Sequence, residues 1–280
     1  MTASAQPSMS LSGGDTMPML GFGTSPLTGG MSAEIVLNAL KAGYRHLDTG
    51  RKYGTEEAVG EAIRASGIAR GELFVVTKVS HENLRPADFA RSVEQSLKAL
   101  RLDYIDLLMI HWPNPDIPPS VAVPPLAKAK QQGLARHIGV ANFNTTLLAE
   151  AVRVSPEPIE VLQAELHPFL DQGKLLAAAR QHGMAFVAHC PLARGRMFTD
   201  PVLMEIAKTR GRSIAQVALR WLLQQNIAAI PFSSKPERIV ENFNVFGFEL
   251  SADEMARISE LKSAGMRIAN PVERVAGGWD

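Results

Sequence analysis

Seven side chains of the chain could do chemistry together, because each stands at or just beyond the end of a short apolar run. Asp48, Lys78, His111, Asn142, Gln163, Glu165 and His189 close such runs one after another, and Tyr53 follows five residues after Asp48. If the runs are neighbouring parallel strands, Asp48 and Lys78 can pair, and a phenol beside an ammonium has its anion stabilised, which lowers its pKa. Tyr53 would then exchange a proton with a bound oxygen near neutral pH, and His111 could orient that oxygen by hydrogen bonding.

The elements that must position these groups can be read from period. Apolar runs suited to strands cover Met19 to Gly23, Tyr44 to Asp48, Leu73 to Lys78, Tyr104 to His111, His137 to Val140, Ile159 to Glu165, Ala185 to His189 and Ile227 to Pro231. Amphipathic runs alternate with them: Ala33 to Ala42, Glu56 to Ala65, Pro86 to Leu100, Val123 to Gln132, Thr145 to Val154, Gln172 to His182 and Ile214 to Gln225, with a last helix after Pro236. Ser32, Thr55 and Ser213 stand as N-caps, and Gly43, Gly67, Gly133 and Gly183 stand where helices should stop. Eight βα repeats predict a closed parallel (β/α)8 TIM barrel, whose functional face is the C-terminal end of its strands. The competing open, doubly wound sheet calls for a glycine-rich phosphate turn. The nearest match, Gly21 to Pro26, has Pro26 where the third glycine belongs.

Bulk composition excludes other functions. With 29 Lys+Arg against 28 Asp+Glu, no nucleic-acid or anionic-membrane partner is expected. No uninterrupted apolar stretch is long enough to span a bilayer, the N-terminus lacks a secretion signal, and Cys190 is the only cysteine, so a cytoplasmic, monomeric protein is expected. Neither HExxH nor a paired-cysteine pattern occurs, so no metal site is expected. Residues 1–10 read as a disordered tail and 11–280 as one barrel domain, with Leu11 to Met19 as a plug under the barrel.

The segments HLDTGRKYG, FVVTKVS and LLMIHWP, which carry Asp48, Tyr53, Lys78 and His111, resemble the aldo-keto reductase family, in particular its bacterial, diketogluconate-reductase-like branch. MPMLGFGT, GVANF, VLQAELHP, CPLARG and IPFSSKPERIVEN follow in the family's order, so the likeness runs from about Leu11 to Trp279. It implies a reductase of aldehydes or ketones that uses a nicotinamide dinucleotide. Tyr53 would be the proton donor, Lys78 would tune it, Asp48 would hold Lys78, and His111 would position the carbonyl. The resemblance also implies that Gly23 and Thr24 lie by the nicotinamide, that Asn142 and Gln163 bind its carboxamide, and that His189, Cys190 and Leu192 belong to the cofactor segment. Phe232, Ser233, Ser234, Arg238, Glu241 and Asn242 would surround the adenosine end, while Phe22 and Trp112 would wall the substrate pocket.

Three positions depart from the family. Ala141 stands where a serine usually precedes the asparagine, which removes one carboxamide hydrogen bond, and His189 replaces the usual stacking tyrosine. Phe232 replaces a lysine that pairs with the 2′-phosphate of NADPH, so NADPH with appreciable NADH use is expected, Arg238 remaining as the cation. Arg51 and Lys52 flank Tyr53 and could attract a carboxylate, although basic loop residues are more often simply solvated. Trp279 in the AGGWD tail reads as part of a flap over the pocket or as disordered surface. A nicotinamide-binding redox sensor or regulatory subunit on the same fold is the alternative function; the complete tetrad argues against it. A Schiff-base isomerase or lyase using Lys78 is argued against by Asp48.

Overall fold

The computed structural model describes residues 6–27, 31–275 and 277–280. Its core is an eight-stranded, all-parallel sheet of β3 (Gly21–Gly23), β4 (His46–Asp48), β5 (Phe74–Val79), β6 (Ile105–Ile110), β7 (Ala135–Ala141), β8 (Val161–Glu165), β9 (Ala185–His189) and β10 (Ala228–Ala229), paired in that order. A parallel bridge between Leu20 and Ala229 joins the first strand to the last, helped by the amide of Gly23, which donates to Pro231 O at 3.0 Å. The sheet is therefore a closed barrel, as the βα repeat predicts. Strands such as FVVTKV and IDLLMI are buried on both faces, which is why they read as continuous apolar runs.

Around the barrel lie α1 (Ser32–Ala42), α2 (Glu56–Ser66), α3 (Pro86–Leu100), α4 (Pro119–Gln131), α5 (Thr145–Val154), α6 (Gly173–Gln181), α7 (Pro201–Arg210), α8 (Ile214–Gln224), α9 (Pro236–Phe243) and α10 (Ala252–Glu260). Ser213 caps α8 in a reciprocal box with Gln216, as the sequence suggests. The other two caps differ. Met31 occupies the cap position of α1 and Ser32 is already helical, while the Thr55 hydroxyl lies 2.8 Å from Thr49 Oγ1 and 3.0 Å from Thr24 Oγ1 instead of capping α2. Helix α4 begins a turn before Val123 and absorbs Pro124 and Pro125, which lack the amide donors that would mark its interior. Helices α7 and α10 have no counterpart in the period reading. Gly60 lets α2 close on α3, since a Cβ there would meet Leu100 O at 2.2 Å.

The N-terminal segment is more ordered than a tail. Residues 1–5 lie outside the described residues, but β1 (Ser8–Ser10) pairs antiparallel with β2 (Thr16–Pro18), which corrects the expected disorder of residues 1–10 for that strand. Met9 and Met17 turn into the core, and this burial gives the hairpin a reason to fold. It plugs the N-terminal mouth of the barrel. Ser12 donates its amide and hydroxyl to Glu160 Oε2 at 2.9 and 2.7 Å, and Asp15 lies 3.1 Å from His137 Nε2. Lys130 and His137 take the remaining capacity of Glu160, whose carboxyl is held down to about 2 against the opposing effect of its burial.

Candidate active site

Strand alternation decides which side chains reach the barrel mouth. Asp48, Lys78 and His189 are the upper members of inward-facing sets such as His46 and Asp48, and Gln163 is the middle member of Val161, Gln163 and Glu165. Lys78 Nζ lies 2.5 Å from Asp48 Oδ1 and donates to Thr49 O at 2.9 Å, while Gln163 Nε2 donates to the other carboxylate oxygen at 2.9 Å. Neither charge touches solvent. Burial pulls the Lys78 ammonium below its ordinary pKa and the Asp48 charge opposes this, so the two form a fixed, neutral unit.

Tyr53 ends a single 3-10 turn, Arg51–Tyr53, and its hydroxyl lies 3.1 Å from His111 Nε2. The Lys78 ammonium stands 5.3 Å from the centre of its ring. The expected lowering of the phenol pKa is not found. Burial raises it well above the ordinary value, and the Asp48 charge adds to the rise. At neutral pH the phenol is therefore fully protonated. Burial, followed by the charges of Lys78, His189 and Arg274, holds His111 well below an ordinary imidazole, so it is neutral.

These groups floor a cavity of about 610 Å³ whose wall includes Gly23, Trp112, Asn142, Gln163, Cys190, Leu192 and Phe232. Asn142, in the left-handed region at φ 62, donates to His111 O at 2.9 Å and has its Oδ1 2.7 Å from His189 Nε2. His189 is depressed to about 4 by burial and is neutral. Burial pushes the Cys190 thiol up, which disfavours its thiolate form. A second hollow of about 550 Å³ adjoins the first, sharing Leu192, Arg194 and Phe232, and is lined by Ser233, Ser234, Arg238, Glu241 and Asn242.

Two expected site residues fall elsewhere. Phe22, one residue out of phase with Gly23, points into the helix layer, packing on Tyr44 at 5.6 Å and Phe232 at 6.3 Å between ring centres, and does not line the cavity. Thr24 is also off the wall. Its amide and hydroxyl both donate to Asp48 O, at 3.0 and 3.1 Å, so it supports the strand that carries Asp48. Two cations were missed: Arg194 lines both hollows and Lys235 lines the second, and neither has a carboxylate partner among the described residues. The signal for Arg194 was a basic residue beside Gly195 in a loop already assigned to the cofactor; for Lys235 it was the residue before Pro236 in a segment missing its usual lysine.

The model of the Aldo/keto reductase family matches residues 19–263. This chain belongs to the aldo/keto reductase family. An aldo-keto reductase of Mycolicibacterium vanbaalenii is 42% identical over 93% of this chain and 94% of its own length, and one of Mycobacterium tuberculosis is 41% identical over 98% of both. Among solved structures, a protein provisionally assigned as a 2,5-diketo-D-gluconic acid reductase B superposes with a TM-score of 0.92 at 44% identity, over 96% of both chains. A Bombyx mori aldo-keto reductase in complex with NADP does so at 0.89 and 32% identity, over 98% of both. As a family member the chain is an oxidoreductase of carbonyl compounds that works with a nicotinamide cofactor. No helix among the described residues of this reductase is long and apolar enough to cross a membrane.

Proposed function

We propose that the protein reduces aldehydes and ketones with NADPH, Tyr53 donating the proton. The observation that carries this reading is the contact of a protonated phenol with a neutral imidazole, Tyr53 hydroxyl to His111 Nε2 at 3.1 Å, on the floor of a cavity large enough for a nicotinamide and a small substrate.

The residues present fit a dinucleotide. Gln163 Oε1 faces no donor among the described residues, and the Asn142 amide keeps a second N–H and a second lone pair, so both can hold a carboxamide. His189 offers its ring as a flank for the nicotinamide in place of the family's tyrosine. Gly23 lets the wall close tightly at the barrel seam, since a Cβ there would meet Ile230 O at 3.0 Å. Arg194 stands at the neck between the two hollows, where the bridging phosphates must pass. Ser233, Ser234, Arg238, Glu241 and Asn242 frame the adenosine end. Lys235 supplies there the cation that Phe232 does not, which supports NADPH over NADH while leaving NADH a substrate.

The bound cofactor supplies hydride to the carbonyl carbon. His111 positions the carbonyl oxygen, the Tyr53 O–H gives that oxygen its proton, and solvent later returns a proton to the phenolate. Lys78 eases the transient phenolate at its ring, less strongly than a free ammonium would because Asp48 holds it. The single cysteine, which has no partner for an intrachain disulfide, supports a reducing, cytoplasmic location. The test is steady-state reduction of a panel of small carbonyls followed by nicotinamide absorbance. A protein that binds NADPH and reduces none of them would be a sensor on this fold instead.

A further inference from the structure

The two cations that flank Tyr53 are engaged by the protein itself. Lys52 Nζ reaches both oxygens of Glu82 at 2.8 Å, out in solvent where such a pair holds little. Arg51 is different. Its Nη1 donates to Glu56 Oε2 at 2.9 Å, and the Glu56 side chain, at the start of α2, is only 2% exposed. The other carboxylate oxygen, Oε1, accepts from the Thr77 hydroxyl at 2.7 Å. Thr77 stands on β5 beside Lys78, and alternation turns Lys78 to the barrel mouth and Thr77 outward to the helix layer. One carboxylate therefore ties the strand that carries Lys78 to the turn that carries Tyr53.

That turn needs an external hold. Between Asp48 and α2 the chain makes only the single 3-10 turn Arg51–Tyr53, closed by the Tyr53 amide on Gly50 O at 2.9 Å and left through Gly54 in the left-handed region at φ 68. A three-residue turn with a glycine on either side fixes little by itself. The chain beyond its ends is fastened, since Thr49 N donates to Val76 O at 2.9 Å and the buried Thr55 hydroxyl meets those of Thr49 and Thr24. Neither contact reaches the turn itself. The pair of Glu56 with Arg51 does, two residues before the phenol, whose hydroxyl must end 3.1 Å from His111 Nε2 to share a carbonyl oxygen with it.

We propose that Glu56 is a positioning residue for the reaction: through Thr77 and Arg51 it sets where the Tyr53 hydroxyl stands relative to Lys78 and His111. The proposal rests on the reading of Tyr53 as the proton donor. It is tested by steady-state reduction of benzaldehyde with NADPH, beside NADPH affinity read by tryptophan fluorescence. Glu56→Gln keeps an oxygen for Thr77 and loses the ion pair with Arg51. It should lower kcat by about tenfold, the low end of what a small misplacement of a reacting group costs, with KM and NADPH affinity little changed. The solvent isotope effect on kcat should grow, because proton delivery from a displaced phenol becomes limiting. Arg51→Gln should act alike, the double variant should be no slower than the slower single one, and Arg51→Lys should recover most of the rate. Lys52→Gln, which removes a cation beside Tyr53 in the chain, should leave turnover unchanged. An unchanged kcat in Arg51→Gln overturns the proposal, as do additive losses in the double variant, a loss of rate in step with NADPH affinity, or an equal loss in Lys52→Gln. Should Glu56→Gln not fold, the Arg51 variants and the Lys52 control decide alone. A Tyr53→Phe variant that keeps its turnover removes the reading of Tyr53 and the proposal with it; an inactive Tyr53→Phe beside a fully active Arg51→Gln removes only the proposal.

Discussion

Lys78 Nζ lies 2.5 Å from Asp48 Oδ1 with both groups shut away from water. Their charges cancel where they are made, so neither can be removed alone without stranding the other. Lys78→Met should destabilise the fold by about 3–5 kcal/mol, and the double variant Asp48→Asn with Lys78→Met should recover part of that loss. Urea unfolding of the three proteins measures it; equal stability of single and double variants would contradict a closed pair.

Tyr53→Phe removes the proposed proton donor and little else, because the ring keeps its edge-on contact with His111 at 5.1 Å between centres. Turnover should fall by about 10²–10⁴-fold, with NADPH affinity retained. A variant that keeps most of its kcat would sink the mechanism.

The proposed cofactor choice puts Lys235 at the 2′-position. Lys235→Met should lower kcat/KM with NADPH by about tenfold, from the loss of one charge-assisted contact, and leave NADH unaffected. Phe232→Lys should move the ratio the other way. Parallel losses with both cofactors would place Lys235 away from the 2′-position.

The N-terminal plug makes stability depend on pH at both ends. The hydrogen bonds of His137 to Glu160 and Asp15 raise its pKa above 6.5 against the opposing effect of burial, so its contribution is complete below pH 6.5 and is lost as pH rises through the raised value. Glu160 is depressed from 4.5 to about 2, so its contribution holds above pH 4.5 and is lost as pH falls through about 2. His137→Asn should therefore cost more stability at pH 6 than at pH 9, by chemical denaturation at both. An equal cost would mean that the imidazole is held for packing alone.

Much of this site was legible because alternation and strand order are local properties. Asp48, Lys78 and His189 end inward-facing sets and Gln163 stands one inward step before Glu165, so strands paired in chain order bring them to one mouth. Phe22 was misplaced by one step of the same alternation, since Gly21 and Gly23 leave the phase of β3 without a side chain to mark it. The phenol's acidity was misjudged because the sequence places an ammonium near Tyr53 but does not show how deeply the hydroxyl is buried, and burial is the largest cause of its raised pKa. Helix α7, with Asp200 as its cap, went unread because its apolar stripe is weak and Met204 is exposed. The docking of the C-terminal segment was out of reach, since Glu165 meets Ile268 and Ala269 across more than a hundred residues.

The seam of the barrel, where Leu20 meets Ala229, divides the site by order of synthesis. All four tetrad residues are synthesised before half the chain is made, whereas Phe232 to Asn242 follow the strand that closes the ring. On the proposed reading, a prematurely terminated chain would carry every acid and base it needs and lack the segment that frames the adenosine end, so only finished copies would draw on reducing power.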